Sequence, residues 1–444
     1  MRKWYRKFFC NRIPTLSFAI KFNILTLGLI ILGVLVPALI MKHWAKQSTQ
    51  KILASPTVSL GSLSHSAKQA AFNLPTATPV LIDHISPKQG FNSTQTPLLP
   101  DWASAKSHLI PSRYPGKENS EVTYNLKTPP SFRQSEKLQA IVNNVVHFTA
   151  AKNLPTKMLS ITLIDTKTGE IAGYQQDIPR YPASVVKMFW MVVLYAQIES
   201  GIWKNEDAFI PYLSKMIKES DNEAASFIVD QVTNTHSEPE LDSKRFKIWK
   251  NKRQQLNRFF QQAGYKNINI SEKTFPIYYI NLPEPTGSEL QMLGSPISEW
   301  NKITTKQAAR LLYEICELKQ AVSPQASQKM CEWITRNLNP KNWQKDLAKS
   351  DTFNPVKTFF GESLFDKDVQ LHSKAGWVSI ARSEAAMVTT ENSSTSYILA
   401  IFGEDSSYAN DTEIFPQISR LVYNYMTSRS LRLSKKSNAE KHFL

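Results

Sequence analysis

An uncharged run of twenty residues at positions 22–41 is the feature that most constrains this chain. At about 1.5 Å per residue, a helix of this length crosses the roughly 30 Å hydrocarbon core of a membrane. Six bases precede the run and three follow it closely. The positive-inside rule therefore predicts a basic cytoplasmic segment at 1–21, a transmembrane signal anchor at 22–41, and export of the rest.

The alternative to an uncleaved anchor is a signal peptide, with the small residues Val36 and Ala38 flanking Pro37 as the cleavage site. The apolar run is longer than the roughly 7–15 residues usual in signal peptides, which favours the anchor. We expect a single-pass protein of the inner membrane with its folded part on the extracytoplasmic side. Cleavage would instead give a secreted protein.

The net charge of +16 would suggest a nucleic-acid or membrane-surface protein if it were spread over the fold. It is concentrated at the two ends, because residues 1–51 hold nine bases and no acid, and residues 428–444 hold five bases and one acid. The segment between them is nearly neutral. We therefore expect no nucleic-acid partner.

Composition divides the exported part into three segments. Residues 42–130 are rich in Ser, Thr and Pro without a sustained period, which predicts a tether. Periodic patterning covers 131–428, a block near the upper size limit for a single core. Residues 429–444 form a basic tail.

Apolar spacing within residues 131–428 predicts an opening helix, two strands, a mainly helical middle, further strands and a last helix. The predicted strands are 159–164, 171–175, 369–372, 377–381, 384–390 and 397–402, and the predicted helices include 184–199, 206–218, 222–231, 254–263, 305–318, 324–337 and 412–426. This order favours an α+β fold with an antiparallel sheet built from both ends of the domain and a mainly helical subdomain.

A serine and a lysine stand one helical turn apart in the run YPASVVK at 181–187. Ser184 begins a predicted helix, and Lys187 follows on the same face among apolar neighbours. Burial would lower the pKa of Lys187, so that its amine could accept the proton of the Ser184 hydroxyl. The spacing alone carries little weight, because the tether holds the same pattern at Ser48 and Lys51.

Two further motifs follow in the chain. Ser220-Asp221-Asn222 lies between predicted helices, where it could reach into a cleft or act as an ordinary helix N-cap. Lys374-Ala375-Gly376 continues a strand pattern, and its glycine lets a ligand approach the backbone. A literal K-T-G at 167–169 precedes the serine and fits an ordinary hairpin turn.

In this order the three motifs resemble the S-x-x-K, S-D-N and K-T-G signature of serine β-lactamases and penicillin-binding proteins. They are most similar to class A β-lactamases, as are Ala224-Ala225, TTKQAARLL at 304–312 and the Lys-x-Gly-Trp strand followed by EAA at 384–386. The resemblance covers roughly residues 133–428. It implies a β-lactamase/transpeptidase-like domain with its active site between the sheet and the helical subdomain.

The resemblance implies that Ser184 attacks a β-lactam or an acyl-D-Ala-D-Ala-like amide, with Lys187 as its base. Ser220 would pass the proton to the leaving nitrogen, and Asn222 would contact Lys187 and the substrate. Lys374 would tune Ser220 and attract the substrate carboxylate. Substrate binding is assigned to Asn222, Lys374, Ala375 and Gly376, and the oxyanion hole to the backbone N–H groups of Ser184 and Trp377.

Two departures from the family pattern are visible. Ala375 replaces the threonine of K-T-G, and the lost hydroxyl should weaken β-lactam binding by roughly 1–3 kcal/mol. The E-x-x-L-N loop that supplies the deacylating glutamate of class A enzymes is not found. Glu272 is the nearest acid in order and is the candidate deacylation base. Every acid between Gly264 and Thr304 also fits a solvated surface charge: Glu272, Glu284, Glu289 and Glu299.

These observations predict a class A-like serine β-lactamase. The alternatives are a membrane-anchored D,D-peptidase of peptidoglycan metabolism and a catalytically inactive module that binds wall peptide. Peptidoglycan is accordingly a candidate partner. No cofactor and no metal are expected, because the eight histidines and three cysteines show no zinc-ligand spacing.

Two features of the helical middle stay open. Cys316 and Cys331 fit a disulfide in an oxidising compartment, and equally two small buried hydrophobes. A charged insert near residues 238–252 fits a solvated amphipathic helix better than a surface for an acidic wall polymer.

Overall fold

The structure is a computed structural model that describes residues 111–124, 128–295, 298–344 and 353–441. The predicted cytoplasmic segment and membrane span lie outside these residues. Within them, no helix combines the length and the apolar character needed to cross a membrane. The topology and the compartment therefore stay predictions.

The strands of the described chain lie near the two ends of the domain, and most of its helices lie between them. The strands are β1 (Arg133–Gln134), β2 (Leu159–Asp165), β3 (Glu170–Tyr174), β4 (Val369–Val378), β5 (Ala381–Thr390) and β6 (Ser396–Gly403). The helices are α1 (Glu136–Ala151), α2 (Val186–Glu199), α3 (Ile210–Ser214), α4 (Asn222–Thr233), α5 (Ser243–Arg253), α6 (Gln255–Gln261), α7 (Gly287–Leu293), α8 (Thr305–Leu312), α9 (Pro324–Trp333), α10 (Pro340–Trp343), α11 (Ser406–Asn410) and α12 (Ile414–Lys441).

One six-stranded sheet joins the two ends of the domain, in the order β1-β3-β2-β6-β5-β4. All neighbours are antiparallel except the two-residue pairing of β1 with β3. The central pairing of β2 with β6 links the N-terminal strands to the C-terminal ones. The predicted α+β fold, with a sheet built from both ends and a mainly helical middle, is confirmed.

The sheet separates two apolar clusters, because successive side chains of a strand point to opposite faces. In β6, Ile398, Ala400 and Phe402 pack with the helical middle, which includes the apolar helix α2. Tyr397, Leu399 and Ile401 alternate with them and pack toward α1 and α12. Burial on both faces explains why β6 is apolar along most of its length.

Two predicted boundaries between elements change. The strand expected at 369–372 continues to Val378 as β4, because Lys374, Ala375 and Gly376 keep pairing with β5. The strand expected at 377–381 is instead divided between the end of β4, a turn at 379–380 and the start of β5. The helix expected at 206–218 is broken into a 3₁₀ turn, the short helix α3 and a π turn at Lys215–Glu219. Ser220 directly follows this π turn.

The folded part begins before residue 131, which corrects the predicted end of the tether. Tyr124 is 1% exposed, and its hydroxyl donates to Glu314 Oε2 at 2.5 Å. Arg113 forms an isolated antiparallel bridge with Trp203. Residues 111–124, which precede the opening helix in the chain, are therefore part of the folded domain.

The C-terminal helix is longer than predicted. Helix α12 continues to Lys441, so most of the predicted basic tail is helical. Arg429, which the sequence assigned to that tail, forms ion pairs with Asp165 and Glu170. Part of the positive charge at this end of the chain is thus paired with acids of the folded domain.

Cys316 and Cys331 form a disulfide, with their Cα atoms 5.3 Å apart. The bridge connects the π turn after α8 to helix α9. Of the two interpretations left open by the sequence, the disulfide is confirmed. A disulfide fits the oxidising compartment that the sequence predicts.

Replacing Cys316 and Cys331 together with alanine should lower the free energy of unfolding by about 3 kcal/mol. The reason is that the bridge joins residues 15 positions apart and so restricts the unfolded chain. Urea unfolding of the oxidised protein and of the double variant measures the difference. Equal unfolding midpoints and slopes for the two proteins would contradict the prediction.

Candidate active site

Ser184 lies in a 3₁₀ turn at Ala183–Val185, directly before helix α2. The residue before it, Ala183, has a φ of +47°, a left-handed conformation that is costly for a side chain with a Cβ atom. Strained backbone of this kind persists where the surrounding structure enforces it, often at functional sites. Ser184 itself is half-buried, two residues before the first residue of the apolar helix α2.

Lys187 lies in the first turn of α2 and is fully buried. Its Nζ donates to the backbone O of Ser220 at 2.5 Å and to Oδ1 of Asn222 at 2.7 Å. Burial lowers the pKa of Lys187 to about 7, although the charge of Asp221 acts in the opposite direction. The predicted contact between Lys187 and Asn222 is present, and the amine can be neutral near physiological pH.

The Ser220-Asp221-Asn222 tripeptide serves as both a helix cap and a part of the cleft. Asp221 is the N-cap of α4 and accepts a hydrogen bond from the N–H of Ala224 at 2.7 Å. Ser220, with a φ of +61°, and Asn222 flank the cap and contact the lysines. Asp221 is therefore the helix N-cap, while Ser220 and Asn222 contact the lysines of the cleft.

Lys374 reaches Ser220 from strand β4. Its Nζ donates to Oγ of Ser220 and to the backbone O of Ala375, each at 2.8 Å. Burial lowers the pKa of Lys374 well below its usual value, and the positive charges of Lys187 and Arg336 lower it further. Ser220 thus joins two buried lysines, one through its carbonyl oxygen and the other through its hydroxyl.

Gly376 allows strand β4 to pass close to the serine. A Cβ atom at this position would lie 2.6 Å from the backbone N of Ser184 and 2.9 Å from the O of Pro182. No larger residue fits without moving the backbone. Trp377, the next residue, is 46% exposed, and its indole N–H donates to the O of Ala409 at 2.8 Å.

Two residues near Lys374, Ala375 and Arg336, differ from what the sequence led us to expect. Ala375 is completely buried and belongs to the apolar cluster under the sheet, so it presents no polar group to a ligand. Arg336 was not predicted, yet its guanidinium donates to the O of Ser373 at 2.7 Å and to the O of Ile217 at 3.1 Å. A lone arginine after a helix carries no sequence signal for this role.

Glu272 is 2% exposed and is held by Asn301. Its Oε2 accepts from the N–H of Asn301 at 2.9 Å, and its backbone O accepts from the Asn301 side chain at 2.9 Å. Burial raises the pKa of Glu272 to about 8. The pKa of Tyr181 is raised first by burial and then by the charge of Glu272, so the carboxylate is near the residues that precede Ser184.

The loop that carries Glu272 is also bonded to the cleft. The side chain of Asn222, which accepts a hydrogen bond from Lys187, donates through Nδ2 to the O of Phe275 at 2.7 Å. Asn222 therefore joins the lysine to a residue three positions after Glu272.

The other three candidate acids have different environments. Glu284 and Glu299 are exposed, in line with solvated surface charges. Glu289 is buried, but the attraction of Arg253 and Lys273 outweighs its burial and holds its pKa below the usual value. Of the four acids, Glu272 combines burial, a raised pKa and proximity to the cleft.

In the described ranges, the one group of His, Cys, Asp and Glu side chains close enough to share a metal ion is Cys316, Cys331 and His372. Both sulfur atoms of this group are used in the disulfide. It offers no complete thiolate set while the bridge is intact.

The arrangement supplies the groups that acyl transfer needs. A half-buried serine stands one turn before a lysine that can be neutral, and a second hydroxyl bridges to another lysine. A buried carboxylate lies near the same cleft and can act as a base once it loses its proton.

Comparison with known proteins gives a family and a set of related folds. Residues 211–426, just under half of the chain, match the model of the "Beta-lactamase enzyme family". The matched segment includes Ser220, Asn222, Glu272 and Lys374 and begins after Ser184 and Lys187. No curated protein matches the sequence.

Several solved structures are similar to this chain. PBP-A is 15% identical with a TM-score of 0.46, over 68% of this chain and 99% of its own. A β-lactamase from Sphaerobacter thermophilus is 15% identical with a TM-score of 0.45, over 65% and 97%. A class A β-lactamase from Mycobacterium abscessus is 11% identical with a TM-score of 0.44, over 64% and 98%.

The family match agrees with the assignment from the three motifs. Residues 211–426 are thus similar to the β-lactamase enzyme family, in line with the resemblance of the three motifs to serine β-lactamases and penicillin-binding proteins.

The buried environment of Lys187 predicts the pH dependence of serine acylation. The second-order rate constant for labelling Ser184 with a penicillin should rise with pH with a midpoint near 7, because the lysine must be neutral to accept the serine proton. Intact-protein mass spectrometry after short exposures at several pH values measures it. A rate that is independent of pH through this region in the wild type would contradict the prediction.

Proposed function

We propose that the protein is a class A-like serine β-lactamase that hydrolyses the cyclic amide through an acyl-enzyme on Ser184. The observation that carries the proposal is the hydrogen-bonded connection of Lys187, Ser220 and Lys374 beside the serine turn. Two buried lysines that meet at one serine serve no evident structural need, since each is costly to bury.

In the acylation step, the Oγ of Ser184 attacks the carbonyl carbon while neutral Lys187 accepts its proton. Ser220 gives its hydroxyl proton to the leaving nitrogen as the C–N bond breaks, and Lys374 can return a proton to Ser220 through their 2.8 Å contact. The N–H groups of Ser184 and Trp377 would bind the oxyanion, and each such donor is typically worth about 3 kcal/mol.

In the deacylation step, Glu272 would act as general base toward water. The carboxylate removes a proton from the water as the water oxygen attacks the ester carbon. The C–O bond to Ser184 then breaks as Lys187 returns to Oγ the proton that it accepted in acylation. Because the pKa of Glu272 is raised to about 8, the active carboxylate form increases as the pH rises through that value. The presence of this buried base favours hydrolysis over a stable adduct.

A D,D-peptidase of peptidoglycan metabolism is the second candidate, and the missing E-x-x-L-N motif of class A enzymes is the observation that favours it. The lysines and the hydroxyl of Ser220 would still support acylation of Ser184. An acyl-D-Ala-D-Ala-like amide would then be the substrate, and peptidoglycan the partner.

Incubation with a labelled penicillin tests the proposal. We expect an adduct on Ser184 that forms and then decays with release of hydrolysed product, and no adduct in Ser184→Ala. A stable adduct on Ser184 would favour the peptidase. Wild-type protein that is labelled neither by penicillin nor by D-Ala-D-Ala peptides would show that the domain is an inactive module.

The role of Glu272 gives a separate prediction. Glu272→Gln should slow decay of the adduct by about 10²–10⁴-fold, the usual contribution of a general base, with little effect on adduct formation. Glu299→Gln is the matched control, because this acid is exposed and lies in the same interval of the chain. Unchanged hydrolysis in Glu272→Gln would remove Glu272 from the mechanism.

A further inference from the structure

A cavity of about 420 Å³ lies between two segments that the proposed function does not use. One wall is formed by residues 111–124, which we name the N-terminal strap. The other wall is helix α5 of the charged insert with the start of α6, and Thr233 at the end of α4 also lines the cavity. Its volume falls within the roughly 300–1,000 Å³ that is usual for small-molecule sites.

The cavity is separate from the catalytic cleft, because the two lie at opposite ends of α4. Asn222, the first residue of α4, contacts Lys187, whereas Thr233, its last residue, lines the cavity. A helix rises about 1.5 Å per residue, so these two ends are roughly 16 Å apart. Among the described residues that line the cavity, none belongs to the three catalytic motifs.

The N-terminal strap is fixed against the domain near both of its ends. Near its start, the Arg113 guanidinium donates to the O of Gln231 at 2.5 Å and lies over the Trp203 ring at 4.5 Å. Near its end, Glu121 accepts from Nη2 of Arg258 at 2.5 Å. These contacts are made within the protein, so a ligand would not have to order this wall on binding.

The predicted helix of the insert is present as α5, and its buried side fixes the second wall. Trp249 packs with Leu241 and Met292, and its indole N–H donates to the O of His236 at 2.7 Å. Helix α5 is therefore held against the domain by one side, while another side lines the cavity.

Four residues of α5 line the cavity, in two pairs that are each one helical turn apart. Lys247 and Asn251 are four positions apart, as are Ile248 and Lys252, so each pair shares a helix face. Ile248 is 55% exposed. Within the described ranges, neither lysine has an ion-pair partner. Both ammonium groups are therefore available to a ligand.

The exposed charges of the cavity differ in sign between its two walls. The helix wall carries Lys247 and Lys252, and the N-terminal strap carries Glu118 and Glu121. In the described part of the chain, neither acid forms an ion pair with either lysine. Arg113, the remaining base of the strap wall, directs its guanidinium mainly to backbone oxygens.

A ligand that carries both an ammonium and a carboxylate matches this separation of charge. A ligand with one charge would be attracted to one wall and repelled by the other. Asn119, Ser120 and Asn251 add amide and hydroxyl groups that can bind a peptide bond, and exposed Ile248 can contact a small apolar side chain.

We propose that this cavity is a binding site for a short zwitterionic peptide, with its carboxylate toward Lys247 and Lys252 and its ammonium toward Glu118. The site is independent of hydrolysis at Ser184. Peptidoglycan fragments and ordinary peptides carry the same two charged groups, and the D- or L-configuration of their residues distinguishes the two sources.

Isothermal titration calorimetry with D-Ala-D-Ala tests the proposal, with the full chain carrying Ser184→Ala so that no turnover occurs. Binding should weaken about tenfold when Lys247→Gln and Lys252→Gln are combined, the joint effect of two exposed charge contacts. Lys244→Gln is the matched control, because Lys244 is exposed on the same helix and does not line the cavity. This control should leave the affinity unchanged.

Peptide derivatives test the two ligand charges separately. N-acetyl-D-Ala-D-Ala lacks the ammonium and D-Ala-D-Ala amide lacks the carboxylate, so each should bind this cavity more weakly than D-Ala-D-Ala. Glu118→Gln should weaken binding of D-Ala-D-Ala and leave that of the acetylated peptide unchanged. Tighter binding of D-Ala-D-Ala than of L-Ala-L-Ala would support a peptidoglycan source, and the reverse order a source with L-residues.

Hydrogen–deuterium exchange locates the bound peptide. Residues 118–121 and 247–255 should exchange more slowly with D-Ala-D-Ala than without it. Protection confined to the neighbourhood of Ser184 and Ser220, equal affinity in the double lysine variant and in Lys244→Gln, or binding of neither dipeptide would overturn the proposal. None of these outcomes depends on adduct formation at Ser184, so the proposed function is tested separately.

Discussion

The burial of two lysine ammonium groups in one cleft is the constraint on which the rest of the structure depends. The contacts of both amines are neutral oxygens: Ser220 O and Asn222 Oδ1 for Lys187, and Ser220 Oγ and Ala375 O for Lys374. Neutral acceptors satisfy the N–H donors without the strong stabilisation of charge that a carboxylate gives. Burial therefore lowers both pKa values. The left-handed Ser220 and the uninterrupted strand β4 are the local features that bring these oxygens into place.

The same physical balance separates two buried glutamates close together in the chain. Glu272 is bonded to the backbone N–H of Asn301, and its burial raises its pKa. Glu289 is equally buried, yet it faces Arg253 and Lys273, and its pKa falls. Environment and not residue type thus gives one carboxylate the properties of a base and the other those of a permanent charge. This difference supports Glu272 as the acid to be tested in deacylation.

The resemblance of the three motifs to a known signature predicts the lysine cleft, although its contacts join residues 33 and 154 positions apart. Among the four glutamates the sequence selects Glu272 only by its order in the chain, because burial and partners such as Asn301 belong to no motif. Tyr124 was assigned to the tether for a similar reason: its surroundings are Ser/Thr/Pro-rich, and only its packing and its bond to Glu314 show that it is folded.

The insert shows how a charge count differs from a charge position. Arg253 is one of six bases in the helix from Ser243 to Arg253, and composition gives it the same weight as the exposed Lys244 and Lys247. Its place one turn after Trp249 puts it on the buried face, where it lies over the indole ring at 4.6 Å and joins the acids of two other helices. Lengthening a loop costs little entropy once its ends are fixed. The insertion packs against its own neighbouring segment, and Arg253 also lies 3.5 Å from the O of Ser271, the residue before Glu272.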